Sequence, residues 1–250
     1  MVCEYEITAT IVLYNEDLQV LKKTVDSFLK TPLKKRLFLV DNSPTNRLKA
    51  YFNQEEIVYI YTGKNLGFGK AHNLVLDKVS SPYHLLLNPD VIFNKEVIPA
   101  LVKQLEVHAE VAFTTPKVLY PNGEIQYVCR KHPTIYDLLN RRISFSKKAI
   151  FKNEYRNQDL TKSFFPDFIH GCFMLFKTAD FKKISGFDER YFLYMEDADL
   201  SRKVDAIGKK KLFYPEVSIT HQHQRGSANS SQLLYYHISS AIKYFLKWGF

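Results

Sequence analysis

Through the first hundred residues, short apolar runs rich in β-branched side chains alternate with segments whose apolar positions recur every third or fourth place. The run ITATIVL at 7–13 suits a strand buried on both faces. Leu18, Leu21, Val25, Phe28 and Leu29 share one helical face, which predicts a helix over 18–29, ended by Pro32. RLFLV at 36–40 predicts a second buried strand, stopped by the turn-forming DNSP. A short helix at 47–52 and a third strand at 57–61 follow. A helix then runs from the glycines at 67 and 69 through 79, ahead of a fourth strand at 84–87 and a helix at 96–108. Strands alternating with helices at such short intervals predict an α/β fold with a mostly parallel, doubly wound sheet.

Beyond residue 110 the pattern changes. Two strands are expected at 111–115 and 117–120, then a turn at the PNG of 121–123. The tract 130–156 is basic and aromatic with weak periodicity, which fits a loop, a helical excursion or a surface for a polyanion. A second apolar stretch spans 168–176, a helix starts near Glu196, and a last strand is expected at 211–219. At 232–250, Leu234, Ile238, Ile242 and Phe245 fall on one helical face, with Lys243, Lys247 and Trp248 near the end. Such an amphipathic helix either packs on the domain or rests on a membrane interface.

The hydrophobic fraction of 46% and charged fraction of 24% are those of a folded globular chain, which sets aside disorder and collagen. Cys3, Cys129 and Cys172 are odd in number and far apart, so neither a disulfide framework nor a structural zinc site is expected. The N-terminal residues lack the basic head and apolar run of a signal peptide, and no stretch approaches the ~20 apolar residues of a membrane span. A reducing, cytoplasmic setting is therefore expected. The formal charge of +9 favours polyanionic partners: nucleic acid, anionic lipid or phosphorylated substrates.

Candidate chemistry gathers at predicted strand exits, where ligands of open α/β sheets collect. Asn15, Asp41, Asn65 and Asp90 all fall there. Asp90, with Asn88 two places before it, suits a divalent ion that neutralises a departing diphosphate, although a turn aspartate has the same look. Glu196, Asp197 and Asp199 crowd a helix start beside aromatics. A carboxylate there can take a proton from an attacking hydroxyl, or merely stabilise its helix. His221 and His223 follow the last strand as possible metal ligands, and Arg225 suits a diphosphate. The Gly67-Phe68-Gly69 loop lacks the later glycine of a dinucleotide fingerprint and follows a third strand, so a nicotinamide site is not expected.

Taken in order, the segments IVLYN (11–15), VDNS (40–43), NLGFGKAHN (65–73), LNPDV (87–91), GC (171–172), GFDERYF (186–192), EDADL (196–200) and the region of His221 resemble the family 2 glycosyltransferases. The likeness is to their rhamnosyltransferase-like branch, which builds bacterial surface polysaccharides. The resemblance covers nearly the whole chain to residue 227. It implies one GT-A domain over 1–227, with a nucleotide-sugar-binding half (1–108) and an acceptor-binding half (109–227), followed by the helix of 228–250. By the same resemblance Asp41 would bind the pyrimidine base, with Tyr14 and Asn15 lining the nucleotide. Asn65 and the Gly67 loop would border the donor, a dTDP- or UDP-sugar. Asp90 would bind Mg²⁺ or Mn²⁺, completed by His221 or His223, and Asn88 stands where the strict D-x-D pattern has its first aspartate. Asp197 would be the general base with Glu196 beside it, acting on a saccharide or lipid-linked acceptor. Apart from the resemblance, the basic tract and the terminal helix, where that helix does not simply pack on the domain, suit contact with an anionic membrane and a lipid-linked diphosphate acceptor. A sugar nucleotidyltransferase would want a glycine-rich basic loop where Tyr14-Asn15-Glu16-Asp17 stands. A nucleic-acid-binding module would leave the acidic loops unexplained.

Overall fold

Every position of residues 7–13 is apolar or threonine, and in the computed structural model they form β1 (Ile7–Leu13) at the middle of a parallel block. The structure describes residues 4–143, 146–222 and 231–249. Asp17 closes the start of α1 (Leu18–Leu29) by accepting the N–H groups of Gln19 and Val20 at 2.8 and 3.0 Å. β2 (Lys35–Asp41) and β3 (Ile57–Tyr61) extend the block on one side and β4 (Tyr83–Leu87) on the other, all parallel. The helix expected through residue 79 is shorter. α2 (Phe68–Asn73) ends after six residues, and a 3₁₀ turn at Leu76–Lys78 leads to β4.

The second half brings antiparallel strands into the same sheet. A short strand not anticipated, β5 (Val91–Phe93), follows Asp90 directly and precedes α3 (Val97–Val107). The two strands expected around Pro116 are one, β6 (Val111–Leu119). Pro116 lies beyond the ladder to β9 (Phe173–Lys177), which meets β6 only at Phe113 and Thr114, and on the other side it faces Tyr214 at a break in register, where a proline is tolerated. The basic tract contains β7 (Cys129–Arg130), α4 (Ile135–Ile143) and α5 (Lys147–Asn153). β7 pairs with β8 (Phe168–Ile169) in a small separate ladder. α6 (Thr178–Lys183), α7 (Glu196–Ala206), β10 (Lys210–His221) and α8 (Ser231–Trp248) complete the chain. The eight-stranded order is β3-β2-β1-β4-β9-β6-β10-β5. β9 runs antiparallel to both neighbours and β5 antiparallel to β10, while β6 and β10 are parallel, so four of the seven pairings are parallel.

Two histidines are buried under this sheet. His84 on β4 meets the hydroxyls of Thr8 and Thr10 at 2.7 and 3.1 Å, which is how β1 carries threonine inside the core. His72 lies against Phe68 and Phe187, and neither of its ring nitrogens has a hydrogen-bond partner. Burial lowers both to about 3. The unfolded chain takes up protons below about 6.5 while the folded one resists down to about 3, so stability falls as pH drops through that window. At pH 5 each imidazole removes about 2 kcal/mol relative to neutral pH. His72→Leu is therefore expected to lose less stability than the wild type between pH 7 and pH 5 in chemical denaturation. Equal losses in both proteins would refute this.

Candidate active site

The first parallel strands deliver their exits to one edge of the sheet. Asp41, the last residue of β2, is fully buried. Its Oδ1 accepts the Ser43 N–H at 2.9 Å, and its Oδ2 accepts the Tyr59 hydroxyl. Both oxygens are thus engaged within the chain, each with acceptor capacity left for a further donor. Asn15 stands just after β1 in the left-handed region (φ 58°), its N–H donated to the Ser43 hydroxyl at 2.8 Å. Tyr14 beside it is half exposed and free of the core. Glu16, which the sequence reading passed over, is partly buried on the same loop. Burial lifts its carboxyl to about 7, the nearby charges of Asp90 and Asp41 add to the rise, and the Tyr14 N–H opposes it.

The loop after β4 carries Asn88 and Asp90. Asp90 Oδ1 lies 3.2 Å from Nε2 of His221, the last residue of β10, and Asn88 Nδ2 approaches the same nitrogen at 3.5 Å. Gln126 brackets this histidine. Its Oε1 meets Nδ1 at 2.9 Å and its Nε2 donates to the His221 carbonyl at 2.6 Å. Held through Nδ1 by Gln126, the ring turns Nε2 toward Asp90, the arrangement that orients a ligating imidazole. The Asn88 Oδ1 is buried without a partner. A carboxylate, an imidazole nitrogen and an orphaned amide oxygen at one point suit a divalent cation that takes its remaining ligands from substrate phosphates. Among the described residues no three His, Cys, Asp or Glu side chains gather, so the set is a pair of such ligands with an amide. His223 and Arg225 lie outside the described residues.

A third strand exit joins the second half to this corner. Between β8 and β9 the chain passes through Gly171 and Cys172. The Cys172 carbonyl accepts the Asn88 N–H at 3.0 Å, and the Gly171 N–H is donated to Asp197 Oδ2 at 3.3 Å. Burial raises the Cys172 thiol to about 12, and the charges of Asp90 and Asp197 both act on it. Asp90 therefore shares one corner of the fold with Asp197 and His221, each more than a hundred positions away from it in sequence.

The approach to α7 explains how Asp197 is presented. Tyr194 and Met195 both have positive φ (69° and 64°), a conformation that costs non-glycine residues of order 1–3 kcal/mol each. The three carboxylates at the helix start then diverge. Asp197 is 14% exposed and also accepts the Ala198 N–H at 2.8 Å, with His170 Nδ1 at 3.5 Å. Glu196 is buried, its Oε2 has no partner, and burial next to Asp197 holds its carboxyl well above the usual range. Asp199 is fully buried and structural. It accepts Trp248 Nε1 and Lys247 Nζ, each at 2.7 Å, and so ties α8 to α7.

A raised folded value for Glu196 means that folding takes up a proton, so this group's contribution is lost as pH rises from its unfolded value near 4.5. Glu196→Gln is expected to melt above the wild type, by a margin that widens from pH 5 to pH 8. A constant or shrinking margin in thermal melts would refute the assignment.

The glycine loop plays a different part from a phosphate cradle. Gly67 N–H is donated to Asn65 Oδ1 at 2.9 Å, and the Gly67 carbonyl accepts Asn42 Nδ2 at 3.1 Å. A Cβ on Gly67 would stand 2.4 Å from the Phe192 carbonyl oxygen, and one on Gly69 2.8 Å from Phe187 Cβ. Asn73 receives the Phe187 N–H and donates to the Phe187 carbonyl, both at 2.9 Å, and Lys70 pairs with Glu189 at 2.8 Å. The segments at 65–73 and 186–192 are therefore two sides of one clamp between the halves of the molecule. Asn65 and Gly67 belong to it.

Comparison with known proteins agrees with this geometry. The Glycosyl transferase family 2 profile matches residues 8–184. The rhamnosyltransferase WbbL of Escherichia coli (strain K12) is 26% identical over 219 residues, covering 84% of this chain and 81% of its own. The N-acetylglucosaminyl-diphospho-decaprenol L-rhamnosyltransferase of Mycobacterium tuberculosis (strain ATCC 25618 / H37Rv) is 26% identical over 221 residues, 81% of this chain and 70% of its own. Among solved structures, GalNAc-T7 with UDP, GalNAc and Mn²⁺ superposes with a TM-score of 0.67 at 17% identity. It covers 93% of this chain, which spans about half (47%) of that one. The expected GT-A architecture is thus the observed one. On the match across residues 8–184, the chain belongs to glycosyl transferase family 2.

Proposed function

We propose that the chain is an inverting hexosyltransferase of cell-surface glycan synthesis, taking a sugar from a nucleoside diphosphate donor to a hydroxyl of a saccharide or lipid-linked diphosphate acceptor. dTDP-rhamnose is the donor we favour over a UDP-sugar, because the two curated relatives are both named rhamnosyltransferases. The lipid-linked acceptor follows the second of those names. Such an acceptor places the reaction at the cytoplasmic face of a membrane.

The observation that carries this reading is the shared corner: Asp197 hangs from Gly171, and the Asp90–His221 pair meets the neighbouring Cys172 through the Asn88 amide. In the reaction Asp197 takes the proton of the acceptor hydroxyl as that oxygen attacks the anomeric carbon, and the bond to the diphosphate breaks on the opposite face. One displacement inverts the anomeric centre. Asn88, Asp90 and His221 would hold Mg²⁺ or Mn²⁺, whose charge supports the leaving diphosphate. Glu196, carrying a proton, keeps a second negative charge away from Asp197. Tyr14 and Asn15 border the nucleotide.

A donor screen tests the reading. Purified protein is incubated with dTDP-rhamnose or UDP-sugars, a lipid-linked acceptor and Mn²⁺, and nucleoside diphosphate release is followed. Acceptor-dependent release with dTDP-rhamnose, and a product whose anomeric configuration is opposite to the donor's, are expected. No release with any donor, with or without Mn²⁺, would overturn it.

A further inference from the structure

α8 packs on the domain by one face only, and that face is not the stripe its sequence suggested. Ser240, Tyr244 and Phe245 are buried, Arg202 Nε donates to the Tyr244 hydroxyl at 3.1 Å, and Ser240 donates to the Leu193 carbonyl at 2.9 Å. On the outer side Tyr235, Ile238, Ile242 and Leu246 are each more than half exposed, at the three- and four-residue spacing of one helical stripe. α4 lies next to α8, since Leu138 packs on the cluster of Tyr244 and Phe245, and it exposes Ile135 and Leu139 in the same way. α5 adjoins α4 through paired hydrogen bonds between Asn140 and Ser146 at 2.6 and 3.0 Å.

We propose that α4, α5 and α8 form a lipid-facing shelf that seats the protein on an anionic bilayer. Charge selects this occupant. The three helices hold one acidic residue, and because Lys243 and Lys247 of α8 are turned inward, to the Arg190 carbonyl and to Asp188 and Asp199, the outward basic charge comes from α5. That acid, Asp137, is occupied at its own helix start by Thr134 at 2.7 Å, while Lys147, Lys148 and Lys152 project along α5. An apolar stripe with a basic fringe and no acidic counterpart is the composition of a helix lying in a headgroup layer. No helix among the described residues is long and apolar enough to cross a bilayer, so the contact is lateral. The inner face of α8 is bonded to Asp199, two residues from Asp197, so the shelf lies directly behind the helix that carries the candidate base. Its use, presenting a lipid-linked hydroxyl to Asp197, rests on the proposed function; the binding itself does not.

The test uses the full chain and vesicles of phosphatidylcholine alone or with 30% phosphatidylglycerol (about one lipid in three, the anionic content at which basic interfacial helices bind). Wild-type protein is expected to sediment with the anionic vesicles at low salt and to be released at high salt. The doubly substituted Ile238→Glu, Ile242→Glu protein is expected to bind at least about tenfold more weakly, because both changes bring negative charge onto the exposed apolar stripe that would enter the headgroup layer. Both residues are exposed, so its thermal melt should match the wild type, and transfer to a short water-soluble acceptor should be unchanged. Absence of binding at low salt, or equal binding by the variant, would overturn the shelf. So would a wild-type dimer in sizing experiments that the substitutions dissolve without any vesicle binding, since the face would then belong to a second copy. Vesicle binding without any sugar transfer would leave the shelf standing and remove the proposed function.

Discussion

Asp197→Asn is expected to keep the fold and the donor affinity and to lower the transfer rate by about 10²–10⁴-fold, the usual worth of a positioned general base. The asparagine oxygen can still accept one of the two N–H groups, of Gly171 and Ala198, that the two carboxylate oxygens accept now. What it lacks is the capacity to take a proton. The measurement is kcat by nucleoside diphosphate release, beside donor Kd by calorimetry and a thermal melt. A collapse of kcat with Kd unchanged assigns the proton transfer to Asp197. Full turnover would refute that role and direct attention to His170, whose Nδ1 lies 3.5 Å from the same carboxylate. Glu196→Gln is the matched comparison, because it removes a charge from the pair without removing the candidate base. Its rate is expected to fall less than that of Asp197→Asn.

Gly67→Ala is expected to be strongly destabilising for the addition of a single methyl group. Gly67 has φ 84°, where an L side chain is strained, and its new Cβ would meet the Phe192 backbone oxygen at 2.4 Å. A flexible side chain could swing aside; a carbonyl that also receives the Phe68 N–H at 3.1 Å cannot. The unfavourable conformation and the overpacking together are expected to cost about 2–4 kcal/mol, or a fall in Tm of roughly 5–15 °C for a chain of this size. Activity should fall with it, because the contact joins the donor-side loop to the segment that leads into α7. Gly123→Ala is the control: its φ is also positive, but nothing lies within 4 Å of the new methyl. Equal melting temperatures for the Gly67 and Gly123 variants would show that the clamp does not exist.

Much of the first half was legible because local periodicity and tertiary placement agree there. β1, α1 and β3 fall on the spans that the apolar pattern predicted, since a buried parallel strand and a helix with one apolar stripe carry their environment in their spacing. α2 ended early for a reason the spacing does not contain: Asn73 turns its amide outward to bracket Phe187, 114 positions away. β5 was missed because three apolar residues in a turn-rich stretch look the same whether or not a ladder receives them, and here His221 receives Val91. The stripe drawn on α8 failed in a similar way. Residues of both its faces are apolar, so only docking on α7 decided that Phe245 goes inward and Ile238 outward.

The site divides along the same line. Residue types at strand exits pointed to Asp41 and Asp90, and the acidic helix start pointed to Asp197, although a turn or a helix first turn uses the same side chains. Nothing local marks Gln126, which fixes the ring of His221, or Glu16, whose carboxyl lies among the charges of two strand exits. Nor does spacing separate Asp199 from Asp197: two positions on a helix differ by about 200° of rotation, enough to aim one at the Gly171 loop and the other into the interior beneath Trp248. By itself the sequence determined which elements form and which residue types arrive at the sheet's edge, since these follow from short-range pattern and side-chain chemistry. Only the tertiary structure decided which carboxylate faces the corner and which is spent holding a helix, because that choice depends on partners brought from distant parts of the chain.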